Sequence, residues 1–228
     1  MAEKIKFHDF VEIEYTGKLT DGTIFDTTKE SVAKENKLYN QQVKYKPAAI
    51  CVGERQLLPG LDINLVDKEV GKDYSITLKP EEAFGKRDIK NMRIVPMNTF
   101  IDHKLQPQPG LQIDVDGEMG IVTRVSGGRV IVNFNHPLAG REIVYDYRII
   151  KKITDAKEQV ELFLATSFRL PKEMLKVHVA ENKANVEVPF TLPESFLDIL
   201  SKKLVELTGL QEVTITGKVE TMPVEAKK

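Results

Sequence analysis

The chain has 228 residues, 41% of them hydrophobic, which is enough for more than one compact domain with a core of its own. A net charge of −1 gives no electrostatic reason to expect nucleic acid or an anionic membrane as partner, and no run approaches the roughly 18 apolar residues of a membrane span. The single cysteine, Cys51, excludes an internal disulfide and, with no apolar leader at the amino end, leads to the expectation of a reducing, cytoplasmic setting.

Val11, Ile13, Tyr15, Gly17 and Leu19 share one parity, and Glu12, Glu14, Thr16 and Lys18 the other. This is the period-two pattern of a strand with one buried face. Asp21-Gly22 supplies a tight turn into a second strand, Ile24-Phe25-Asp26-Thr27. Alternation sends neighbouring side chains to opposite faces, so either Phe25 or Asp26 can line a pocket while the other reaches a polar partner such as an arginine or a tyrosine hydroxyl. Residues 29–48 are polar and lysine-rich and read as a long excursion from a strand. From Gly60 a helix of about two turns is expected, carrying Leu61, Leu65 and Val66 and closed by Gly71. Tyr74 to Leu78 alternates again.

From Gly85 the pattern changes. Arg93 to Pro96, Gln112 to Val115, Gly120 to Val125 and Arg129 to Phe134 read as short strands, with turns at Asp116-Gly117 and Gly127-Gly128. A small all-β unit over residues 86–135 is therefore expected as an insertion in a larger β domain formed by residues 1–85 and 136–152. Glu142 to Ile150 is the strong strand on which the chain returns. Residues 153–228 read as a third unit in the order α-β-β-α-β. Asp155 with Glu158 starts its first helix, and Pro171 ends it. A hairpin turns about Glu181-Asn182-Lys183. Pro193 opens a second helix carrying Phe196, Leu200, Leu204 and Leu207, Gly209 closes it, and Val213, Ile215 and Val219 form a last strand.

The chemistry-bearing residues are few. His8, His103, His136 and His178 are never paired at the spacing of a metal-binding helix, and no metal or cofactor is expected. No nucleophile elbow, phosphate loop or dinucleotide fingerprint occurs. What remains is Asp26 among aromatic residues, which suits an apolar shaped pocket with almost no acid–base chemistry.

Several motifs carry a resemblance. The run from Gly17 through Asp21-Gly22 to Phe25-Asp26 and Thr28 resembles the opening hairpin of FKBP-type peptidyl-prolyl cis-trans isomerases. Gly53 with Leu57-Leu58-Pro59-Gly60-Leu61 is similar to the family's loop into its short helix, and Ala83-Phe84-Gly85 to its Ala-Tyr-Gly segment. Asn135-His136-Pro137-Leu138-Ala139-Gly140 resembles the return segment of SlyD-type members, which carry an inserted-in-flap domain. Residues 153–228 resemble the extra carboxy-terminal domain of long prokaryotic, archaeal-type forms. The resemblance implies an α+β fold in which an antiparallel sheet wraps on a short helix. It implies a pocket of Tyr15, Phe25, Asp26, Leu57, Leu58, Leu61, Phe84 and Tyr145. Leu61 stands where many members have tryptophan, and Phe84 where tyrosine is usual.

The expected activity is isomerisation of X-Pro bonds in unfolded or proline-containing polypeptides, without cofactor. The inserted unit is expected to bind unfolded chains through some of Ile113, Val115, Met119, Ile121, Val130, Val132 and Phe134. A homodimer through the carboxy-terminal unit stays open. So do two other readings: a holdase that binds clients on an isomerase-like scaffold without catalysis, and an assembly protein acting through residues 153–228.

Overall fold

The computed structural model describes residues 3–115 and 117–217; Asp116 in the expected turn and Val219 in the expected last strand lie outside them. The chain runs through β1 (Phe10–Leu19), β2 (Ile24–Thr27), α1 (Glu30–Glu35), β3 (Ala48–Cys51), α2 (Pro59–Asn64) and β4 (Asp73–Leu78). It continues through β5 (Met92–Pro96), α3 (Met97–Asp102), β6 (Gln112–Val115), β7 (Glu118–Ser126) and β8 (Arg129–Asn133). Then come β9 (Ile143–Ile153), α4 (Ala156–Phe168), β10 (Lys176–Ala180), β11 (Lys183–Val188), α5 (Glu194–Thr208) and β12 (Glu212–Gly217). Residues 77–143 form one compact unit, and the segments on either side of them form the other. Among the described residues, no helix is long and apolar enough to cross a membrane.

The larger unit is built on a five-stranded sheet in the order β2-β1-β9-β4, with β3 also paired to β1. Val11, Ile13 and Leu19 of β1 and Tyr145, Tyr147 and Ile149 of β9 are buried, as the odd-numbered parity predicts. Pro59 sits in the first turn of α2, where its missing N–H costs nothing. The far end of α2 is tied to β9, because the Tyr147 hydroxyl donates to Asn64 Oδ1 at 2.7 Å. Two elements escape the sequence pattern. Helix α1 buries Ala33 alone, and β3 is Ala48-Ala49-Ile50-Cys51, too small-sided to show an alternation.

After β9 the chain forms α4, a hairpin, α5 and a strand, the expected α-β-β-α-β order. The Asp155 carboxylate caps α4 by accepting from the Glu158 N–H at 2.8 Å. The hairpin turns at Glu181 and Asn182, both at positive φ. Gly209 ends α5 at φ +70°. β12 pairs parallel to β11, and α5 makes the crossover that such a pair requires. This part does not keep its core to itself. Val160, Leu164, Val186, Leu204 and Ile215 belong to one buried cluster with Phe10 of β1 and Cys51 of β3.

The smaller unit is a four-stranded sheet in the order β5-β8-β7-β6. Its core holds Phe100, Ile113, Val122, Val130 and Val132, with Val115 and Phe134 packed against it. Of the residues proposed to meet unfolded chains, Met119 is the one left exposed. The unit also carries α3, whose Phe100 closes one side of the core and which the turn-rich sequence around it conceals.

Leu204 is fully buried, so Leu204→Ala should cost about 2–5 kcal/mol in denaturant unfolding. Because the cluster is shared, amide protection in β1 is expected to fall together with that in α4. Protection retained in β1 and lost in α4 would show two separate cores.

Candidate active site

β1 and β2 pair antiparallel as Thr16↔Thr27 and Gly17↔Asp26, but the next pair is Lys18↔Ile24. Phe25 is therefore one residue too many for the ladder, a β-bulge. Strict alternation would send Phe25 and Asp26 to opposite faces. The bulge removes that alternation, and both meet Tyr145. The Phe25 ring lies edge-on to Tyr145 at 5.9 Å between centroids and 79°, and Tyr15 meets Tyr145 at 5.5 Å and 60°. Such edge-to-face pairs place a ring's positive rim on its neighbour's negative face. Gly17 leaves the space for this cluster. A Cβ there would stand 2.9 Å from ring carbons of both Phe25 and Tyr145. Below Tyr15 the hairpin is fixed by its backbone: its N–H donates to Thr28 Oγ1 at 2.9 Å, and its carbonyl accepts the Thr28 N–H at 3.0 Å.

The Asp26 carboxyl accepts hydrogen bonds from the hydroxyls of Tyr15 and Tyr145. Burial pushes its pKa above the ordinary aspartate value, against the opposing pull of hydrogen bonds from the Tyr15 hydroxyl, the Thr27 N–H and the Tyr145 hydroxyl. The tyrosines answer in kind. Burial, and then the negative charge and hydrogen-bond acceptance of Asp26, push Tyr15 up to about 12. Burial and the same carboxylate push Tyr145 up as well. Both phenols thus keep their protons at any physiological pH and remain donors to one acid. The arrangement lets one carboxyl orient two rings through their hydroxyls.

Leu57 and Leu58 are half-buried in the segment leading into α2, and Leu61 is 1% exposed. The turn before them is held by Asp62 of α2, a buried carboxylate that accepts the N–H of Gly53 at 2.9 Å and of Arg55 at 3.0 Å. Sequence reasoning passed over Asp62. The signal available was an acid directly after Gly60-Leu61, in the first turn of a helix of six residues.

Phe84 belongs to the smaller unit. There its ring stacks on His136 at 4.3 Å and 3°. Beside that stack the outgoing and returning chains are joined. The Gly140 N–H donates to the Gly85 carbonyl at 2.8 Å. The Asn135 side chain accepts the Asp88 N–H at 2.8 Å and donates to the Asp88 carbonyl at 2.9 Å. The Asn135-His136 motif therefore closes the base of the inserted unit. Among the described residues, no group of three or more histidine, cysteine, aspartate and glutamate side chains is disposed to hold a metal ion.

Tyr15, Phe25, Asp26 and Tyr145 thus converge in one aromatic cluster. Residues 1–101 match the family described as FKBP-type peptidyl-prolyl cis-trans isomerase, and residues 93–138 match the one described as FKBP26, IF domain. The short-type peptidyl-prolyl cis-trans isomerase of Methanocaldococcus jannaschii is 34% identical over 149 residues, 65% of this chain and 94% of that protein. The chain belongs to the FKBP-type peptidyl-prolyl cis-trans isomerase family. The FKBP-type 16 kDa isomerase of Escherichia coli is 29% identical over 156 residues, 66% of this chain and 95% of its own. The FKBP-type isomerase SlyD of Treponema pallidum is 28% identical over 158 residues, 67% of this chain and 81% of its own.

For this FKBP-type isomerase the buried acid has a measurable sign. A carboxyl whose folded pKa is raised binds its proton more tightly folded than unfolded. The stability from that proton is fully present below the ordinary value of 3.8 and is lost as pH rises through the raised value. Asp26→Asn cannot titrate, so its stability relative to wild type should improve between about pH 3 and pH 7 in urea melts. A relative loss over that interval would mean that the hydrogen bonds to the carboxylate outweigh its burial.

Proposed function

We propose that the enzyme isomerises X-Pro bonds of unfolded polypeptides in a pocket formed by Tyr15, Phe25, Asp26, Leu57, Leu58, Leu61 and Tyr145, with Phe84 assigned by its motif position. The observation that carries this reading is the desolvated Asp26 carboxyl holding two phenols that cannot ionise at neutral pH. Rotation about a peptide bond costs about 18–20 kcal/mol because resonance is lost. The planar amide is the more charge-separated state, and the twisted one leaves a lone pair on a pyramidal nitrogen. An apolar pocket therefore disfavours the planar form relative to the twisted form, which is catalysis by differential binding. The rings hold the proline while the preceding carbonyl swings. Asp26 fixes the rings and takes no proton. Each tenfold acceleration needs about 1.4 kcal/mol of this difference.

A second role as folding chaperone is supported by where apolar surface is left bare. Ile89, Ile94, Ile101 and Met119 of the smaller unit are 85, 61, 61 and 61% exposed. A groove of about 560 Å³ in the same unit is lined by Val95, Phe100, Leu105, Ile113 and Val115 together with the polar Thr99, His103 and Asp114. Exposed apolar side chains at this density suit extended, unfolded segments. A client held there is kept at high local concentration for the pocket. Self-association is assigned to α5, where Phe196 and Ile199 are exposed one turn apart, and a monomer by light scattering at micromolar concentration would overturn that assignment. A cytoplasmic setting is proposed from the cysteine count, since the single Cys51 has no partner for an internal disulfide.

The test is cis-to-trans exchange of a short X-Pro peptide alongside refolding of a proline-limited protein. Asp26→Ala and Tyr15→Ala should each lower peptide kcat/KM by about tenfold or more. Deleting residues 86–135 should spare the peptide reaction and slow the protein reaction. Wild-type activity in both point variants would remove the pocket assignment. Equal losses on peptide and protein would remove the chaperone role.

A further inference from the structure

The turn that delivers Leu57 and Leu58 is gripped from two sides. From α2, the Asp62 carboxylate takes the N–H groups of Gly53 and Arg55. Between those two residues stands Glu54, whose side chain goes elsewhere. Its carboxylate lies 2.8 Å from Lys203 Nζ on α5, with only 16% of the Glu54 side chain and 31% of the Lys203 side chain exposed. His8 Nε2 approaches the same carboxylate at 3.6 Å, and Glu206 of α5 lies 3.6 Å from Lys203. The backbone under this grip is not relaxed. Arg55 and His8 hold φ of +55° and +67°, values that cost an L residue about 1 kcal/mol or more. Gly53, at φ +92°, lies against the Phe7 ring, whose Cδ1 would stand 2.6 Å from an added Cβ. Such a turn keeps its shape only while its surroundings hold it.

We infer that Lys203 of α5 is a positioning residue for the proline pocket: by pinning Glu54 it fixes the turn that places Leu57 and Leu58. The inference rests on the pocket proposed above. It gives the carboxy-terminal segment a part in substrate binding that does not require it to touch substrate. The partly buried pair matters more than a fully exposed one, because water screens it less. Releasing it loosens a binding wall and leaves the aromatic cluster around Asp26 in place. The effect is therefore expected in KM more than in kcat.

The experiment uses the full chain with a short X-Pro peptide. Lys203→Met and Glu54→Gln should each raise KM by about fivefold, with kcat within about twofold of wild type. Amide exchange over residues 53–58 should speed up in both. The charge-exchanged double variant E54K/K203E should bring KM and exchange back toward wild type. If Lys203→Met melts well below wild type, Glu54→Gln, which leaves α5 intact, decides on the same two readouts. Unchanged KM and exchange overturn the inference, and so does a raised KM that the charge exchange fails to recover. Asp26→Ala is measured alongside. If it retains full activity, the pocket reading fails and this inference falls with it. If it loses activity while Lys203→Met and Glu54→Gln behave as wild type, only the positioning role fails.

Discussion

One extra residue in β2 governs the aromatic cluster. With regular pairing, Phe25 and Asp26 would lie on opposite faces of the hairpin, and only one of them could share the face of Tyr15 and Tyr145. The register shift at Gly17/Lys18 lets both converge on Tyr145. Gly17 then becomes obligatory, since any side chain there would occupy the place of the rings. The raised pKa values of Tyr15, Tyr145 and Asp26 follow from the same geometry. Three polar groups drawn together by these contacts lose water and must satisfy one another.

The insertion of residues 77–143 is compatible with this cluster because the chain leaves on β4 and returns on β9, which are neighbours in the sheet. Closure of the loop is therefore enforced by the ladder at its foot, and added length costs only slowly with its logarithm. Within the smaller unit a second closure joins Gly85 to Gly140 and Asp88 to Asn135. Hydrogen bonds from a side chain whose amide is buried on both edges are hard to replace, which gives Asn135 a structural reason to occupy its position.

The legible parts of the sequence were those with a strong period or a stereochemical marker. The alternation from Val11 to Leu19, Asp155 before α4, Gly209 after α5 and the Glu181-Asn182 turn each state a local preference that the fold keeps. The illegible parts were those where packing decides. Helix α1 has one buried residue, β3 has two alanines and α3 lies among prolines, so none shows a period. The bulge at Phe25 was equally hidden, because an extra residue changes which face a side chain takes without changing composition. For the same reason the sequence suggested an acid among aromatic residues without showing how Phe25 and Asp26 could both meet Tyr145. The ion pair of Glu54 and Lys203 links residues about 150 apart in sequence, and no local pattern encodes such a pairing.

The carboxy-terminal segment is the place where these threads meet. Read along the chain it has the elements of a separate domain, with its own helices and sheet. Yet its buried residues form one cluster with Phe10 and Cys51, and β1 and β3 meet it at their ends. Phe10 begins the strand that carries Tyr15, and Cys51 ends the strand that runs into the Glu54 turn. A core that includes the first residue of one site-bearing strand and the last residue before the other site-bearing turn cannot be neutral to where Tyr15, Leu57 and Leu58 stand. Close-packed interiors transmit such constraints, since a shift on one side of a full cluster has no void to absorb it. The segment is therefore joined to β1 and β3 by shared packing as well as by the ion pair of Lys203 with Glu54.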